Sequence, residues 1–173
     1  MGKVFEASCS CGQVGFEGKG EPMAAIACYC DDCQAAAKVI DALPSGRSGL
    51  GDDGGTISTL FRKDVVRCVR GKERLIEVKL RPDSHATRVV ASCCNSNMLT
   101  KFENWLPMVA LRTFSTSTAA VVPRFCINTR YAPDATKIKH AAPRHPKIPP
   151  QLGLKVVGAA LYLALPIGDG RLS

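Results

Sequence analysis

Cys28-Tyr29-Cys30-Asp31-Asp32-Cys33 puts three thiols within six residues. In extended chain, alternate side chains share a face, so Cys28 and Cys30 can converge on one ion. The C-x₂-C half spans a turn, the usual spacing for gripping a metal with two sulfurs. Asp31 and Asp32 favour a helix start, and Gln34-Ala35-Ala36-Ala37-Lys38 are strong helix formers. Cys33 is therefore expected in the first helical turn. There the free backbone N–H groups favour the thiolate, while the two aspartates oppose it.

Two further clusters flank this one. Upstream, Cys9-Ser10-Cys11-Gly12 repeats the alternate spacing, and its glycine lets the chain turn after the second thiol. Downstream, Cys93-Cys94-Asn95 follows a strand-like run. Neighbouring residues of a strand face opposite ways, so these two thiols need a turn to reach one ion. Asn95 suits that turn because asparagine tolerates the left-handed conformation. A structural zinc takes four ligands, whereas a catalytic one leaves a position open. Cys9 and Cys11 with Cys93 and Cys94 would close one site. Cys28, Cys30 and Cys33 would supply three ligands to a second. Thiolate-only ligation also suits an iron–sulfur cluster, the main competitor of zinc, and a redox dithiol or unrelated reduced thiols are the bland alternatives. Cys68 and Cys126 stand alone in apolar runs and read as packing.

The chain has 173 residues and nine cysteines, and 46 % of it is apolar, which fits one globular domain with an appended tail. No signal peptide is readable at the start, and no apolar run reaches the length of a membrane span. Unpaired, clustered cysteines point to a reducing compartment, hence a cytoplasmic location. The net charge is +8, with residues 1–60 acidic and the remainder basic. Charge alone would suit nucleic acid. An aromatic content of 6 % and the lack of a reading motif argue against it.

The body reads as all-β and mainly antiparallel. Residues 4–9 and 13–17 form a hairpin, and runs at 24–30, 57–61, 65–69, 75–80, 87–91 and 108–111 are β-rich or alternating. Pro44 and the glycines that follow mark a long loop. Domain 1–114 thus carries the three cysteine clusters, and 115–173 is a proline-rich basic arm ending in a helix. That helix, from about Gln151, presents Leu152, Val156, Ala159 and Leu163 on one face, which can pack on the domain or pair in a homodimer. His85 reads as a solvated turn residue, and Trp105 as core.

The pattern Cys9-Ser10-Cys11-Gly12-Gln13-Val14, Glu21-Pro22, Cys28-Tyr29-Cys30-Asp31-Asp32-Cys33-Gln34 and Cys94-Asn95-Ser96 resembles the glutathione-dependent formaldehyde-activating enzyme and centromere protein V family. The resemblance covers roughly residues 4–114. It implies a zinc-stabilised Mss4-like, or β-tent, fold. It implies a structural zinc at Cys9, Cys11 and Cys94, with a second zinc at the active-site residues Cys28, Cys30 and Cys33. It also implies carbon–sulfur lyase chemistry, in which formaldehyde adds to the thiol of glutathione or another small thiol, and basic residues of Arg62–Arg88 are candidates to hold the carboxylates. The family's third cluster is C-x₂-C-G. With Cys94-Asn95 at its end, Ala91 takes the first cysteine position, and Cys93 has to serve as fourth ligand. That departure marks a divergent branch.

Overall fold

The structure is a computed structural model, and it describes residues 4–103, 106, 108–112 and 121–164. Trp105, the segment 113–120 and the residues after Ala164 lie outside the described residues. The strands in chain order are β1 (Val4–Ser8), β2 (Gly15–Lys19), β3 (Ala24–Cys28), β4 (Thr56–Arg62), β5 (Val66–Arg70), β6 (Leu75–Lys79), β7 (Ala86–Ala91), β8 (Ser96–Phe102), β9 (Met108–Leu111) and β10 (Phe125–Ile127). Helix α1 spans Asp31–Asp41, and α2 spans Pro150–Ala164. The molecule is thus mostly β, but α1 adds a helix within the cysteine-bearing part of the chain.

Strands β1, β2 and β5 form a small antiparallel sheet. The other seven form a second sheet in the order β10-β3-β4-β9-β8-β7-β6, antiparallel except where β10 runs parallel to β3. The strand contributed from beyond residue 114 therefore lies in the same sheet. The arm after it is tied to β10 by backbone bonds, with the Cys126 N–H donating to Pro143 and the His145 N–H donating to Cys126.

Both faces of the large sheet are covered, and β4 shows why. Its alternating side chains bury Phe61 toward the small sheet and Leu60 toward α2, each 1 % exposed or less. Phe61 packs with Val14, Phe16, Met98 and Leu111, in the same apolar cluster as Cys9 and Cys94. Gly18 is required there, because a Cβ at that position would come within 2.9 Å of the Phe61 ring. Leu60 packs with Ile26, Ala110, Ile127 and Leu152. Full burial of a side chain of this size contributes about 1.5–3 kcal/mol. On α2, Leu152 and Ala159 are buried, whereas Leu154 and Leu161 on the other side are more than half exposed. Among the described residues no helix is long and apolar enough to cross a membrane.

Candidate metal centres

The first centre is built from two turns. In the turn from β1 to β2, the Cys9 N–H donates to Val14 and the Gly12 N–H donates to Cys9, with Gly12 in the left-handed region at φ 76°. The second turn joins β7 to β8. There the Cys94 N–H donates to Ala91, and Asn95 takes φ 49°. This turn releases Cys93 and Cys94 from the opposed directions of a strand, and all four thiols converge. Sγ–Sγ distances are 3.5 Å for Cys9–Cys11, 3.9 Å for Cys9–Cys93, 3.4 Å for Cys11–Cys93 and 3.9 Å for Cys93–Cys94. Sulfurs about 2.3 Å from a zinc at tetrahedral angles sit about 3.8 Å apart. The four-thiol set therefore fits a closed tetrahedral site.

Two serines brace this centre. The Ser10 N–H donates to Ser96 Oγ at 3.2 Å, and the Ser96 hydroxyl donates to Ser10 Oγ at 3.0 Å. Ser96 Oγ also lies 3.2 Å from Cys94 Sγ. Burial pushes the Cys94 thiol up, but the Ser10 and Ser96 hydroxyls, with the Cys11 N–H and thiol, bring it down to about 5. Cys93 moves the other way, to about 12, through burial and its contacts with Cys11 and Cys9. One thiolate supported by neighbouring donors is what a ligand set looks like before the remaining protons leave. Neither serine was singled out from the sequence. Their signal is the serine between the ligands Cys9 and Cys11, and the one that follows Cys94-Asn95.

The second centre lies where β3 runs into α1. Cys30 is the extended N-cap residue (φ −66°, ψ 153°), and the Cys33 N–H donates to its carbonyl. Alternation sends Tyr29 into the opposite cluster beside Cys126 and Ile138. Cys28, Cys30 and Cys33 are left together, their sulfurs within 4.8 Å of one another. Asn128 Nδ2 donates to Cys28 Sγ at 3.7 Å. Hydrogen bonds from Cys28 and Cys30, then the nearby Arg112 guanidinium, hold Cys33 well below the usual thiol range. The donors pay the converse shift. Hydrogen bonds to Cys30 and Cys33, then burial, push Cys28 well above that range. The Cys28 thiol lowers Cys30, but donation to Cys33 and burial outweigh it and leave Cys30 at about 11.

These three thiols line a cavity of about 390 Å³ between the large sheet and α2. Leu60, Phe102, Met108, Leu152 and Val156 make most of its wall apolar. Two buried arginines reach it, Arg88 and Arg112, at 3 % and 4 % exposure. Arg88 donates to the carbonyls of Ala86 and Asp32, which ties β7 to the start of α1. Among the described residues, Arg112 Nε and Nη1 are buried without a partner.

The other basic residues of Arg62–Arg88 are mostly engaged elsewhere. Arg62 pairs with Asp64 and lies over the Tyr162 ring, Arg67 pairs with Glu17, and Arg81 reaches Asp32 at 3.9 Å from the rim. His85 pairs with Glu103, and no histidine joins either thiol cluster among the described residues. Cys126 is fully buried, and Cys68 is half-buried, donating to the Arg70 carbonyl.

Residues 4–43 match the model of a family described as glutathione-dependent formaldehyde-activating enzyme. That span holds Cys9, Cys11 and the three-thiol centre, and ends before Cys93. No curated protein matches the chain. Among solved structures, the chain is similar to a crystal structure of a Rhodobacter sphaeroides structural-genomics target. The two are 16 % identical with a TM-score of 0.47, over 80 % of this chain and 98 % of that one.

Proposed function

We propose that this chain, similar over residues 4–43 to the glutathione-dependent formaldehyde-activating enzyme family, belongs to that family, binds two zinc ions and carries out carbon–sulfur bond chemistry at one of them. In this reading the fold is of the Mss4-like, zinc-stabilised kind. Cys9, Cys11, Cys93 and Cys94 hold a structural zinc, and Cys28, Cys30 and Cys33 hold the second. The observation that carries the proposal is the contrast in ligand number. Four thiols close one centre, while the three-thiol centre opens into a cavity.

When bound at the three cysteines, zinc supplies Lewis acidity that lowers a thiol's pKa or polarises a carbonyl. The reaction is addition of a thiol to an aldehyde, or its reverse. The sulfur–carbon bond forms, the carbonyl π bond breaks, and the thiol proton ends on the oxygen. Leu60, Met108 and Leu152 present apolar surface to the cavity that the three thiols line. Arg112 lies beside Cys33 with free N–H donors, so it can stabilise negative charge developing on the carbonyl oxygen. Glutathione with formaldehyde is the pair the family's description names.

Thiols and formaldehyde also combine unaided, so the test measures exchange rather than product. Magnetization-transfer NMR on an equilibrated glutathione–formaldehyde mixture should show adduct exchange accelerated by the protein, and the acceleration lost in Cys30→Ala. Exchange at the wild-type rate in that variant would refute catalysis at this centre. A protein with one zinc per chain, unchanged by Cys30→Ala, would instead be a non-catalytic zinc-stabilised binding module.

A further inference from the structure

The cavity wall next to the three cysteines is mostly apolar and suits a hydrocarbon tail better than the charged groups of glutathione. Its apolar lining comes from both layers: Leu60, Phe102 and Met108 from the sheet, Leu152 and Val156 from α2. Burying charges against such a wall without partners is strongly unfavourable. The polar residues that line the cavity, the cysteines aside, are Asp32, Ser58, Arg88, Thr100, Arg112 and Asn128. Arg88 and Asn128 are already bonded, to backbone carbonyls and to Cys28. Among the described residues that line the cavity, Arg112 keeps two buried donors, Nε and Nη1, without an acceptor. A guanidinium does not shed its proton, so the missing partner has to be an acceptor. A volume of about 390 Å³ is within the range of small-molecule sites.

We infer that the cavity receives a medium-chain aliphatic aldehyde, its hydrocarbon tail between the sheet and α2 and its oxygen on Arg112. This rests on the carbon–sulfur reading of the three-thiol centre, and names the carbonyl partner as one larger and more apolar than formaldehyde. The oxygen then lies beside Cys33 and accepts from donors that otherwise have no partner.

Octanoate is a suitable unreactive probe, because it has the tail and an oxygen head that a guanidinium binds. In calorimetric titration of the zinc-loaded full chain, octanoate should bind one per chain, and acetate, which lacks the tail, should show no saturable heat. Gly153 offers a clean block. It lines the cavity, and a Cβ there meets nothing within 4 Å. Gly153→Phe should fold with unchanged zinc content and lose octanoate affinity at least about tenfold. Arg112→Met should lose a similar factor, and Arg112→Lys should recover part of it. Octanoate binding unaltered by Gly153→Phe, or no saturable octanoate binding, would overturn the inference. Neither result touches zinc content or glutathione–formaldehyde exchange, so the carbon–sulfur reading stands or falls separately. Octanoate binding with the predicted variant effects in a protein that lacks exchange activity would support the cavity's specificity and remove the reaction assigned to it.

Discussion

The two cysteine centres use the same ligand atom and opposite surroundings. Cys9, Cys11, Cys93 and Cys94 come from two turns that are separate in sequence, and a metal there joins the small sheet to the β7–β8 hairpin. Cys28, Cys30 and Cys33 come from one strand-to-helix junction, and a metal there joins nothing that the backbone has not already joined. The first set is braced by serine hydroxyls and closed by its fourth thiol. The second is flanked by a buried arginine with free donors and an apolar cavity. Long-range closure favours stability, and local ligation with an open side favours chemistry.

The contrast predicts its largest effect on metal removal. Structural zinc sites contribute about 10–16 kcal/mol, as much as a whole domain's stability of about 5–15 kcal/mol. Cys93→Ala, or stripping with a strong chelator, should abolish cooperative melting by circular dichroism, whereas Cys30→Ala should retain it. Equal loss in both variants would erase the distinction between the centres.

Core truncations sharpen it. Phe61→Ala, in the cluster that contains Cys9 and Cys94, should cost about 3–5 kcal/mol in denaturant unfolding. Leu60→Ala enlarges a cavity that already exists, so its cost should fall at the low end of about 2–5 kcal/mol. A larger loss at Leu60 than at Phe61 would mean that the cavity face carries the fold.

Ser96→Ala removes the hydroxyl that contacts both Ser10 and Cys94. Partners of this kind typically tune metal affinity by about 10–100-fold. Competition with a chromophoric chelator should show that loss at the four-thiol site and no change at the other. The smallest effect is expected at Arg67→Ala, which breaks an exposed pair with Glu17 and should shift stability by less than about 1 kcal/mol in the same unfolding assay.

Both centres were readable in the sequence as far as their spacing is local. C-x-C-G and C-x-C-x₂-C fix turn and helix-start geometry within a few residues, and Asp31-Asp32 before an alanine run marks α1. The convergence of Cys93 with Cys9 depends on two hairpins meeting in space, and Asn95 was its only local sign. β8 was not legible, because Ser96-Asn97-Met98-Leu99-Thr100-Lys101-Phe102 mixes polar and apolar residues that burial on both faces later accommodates. β10 is three residues long in proline-flanked sequence, too short for a period to show. Arg112 reads as the polar end of a strand. Its role comes from Cys33 lying beside it, 79 positions earlier in the chain.

Zinc content of freshly purified, reduced protein, measured together with that of Cys30→Ala, tests the central claim most directly. Two zinc ions per wild-type chain and one per Cys30→Ala chain, both proteins folded, is the result predicted here. A wild-type chain that is folded, metal-free and indifferent to chelators would contradict it.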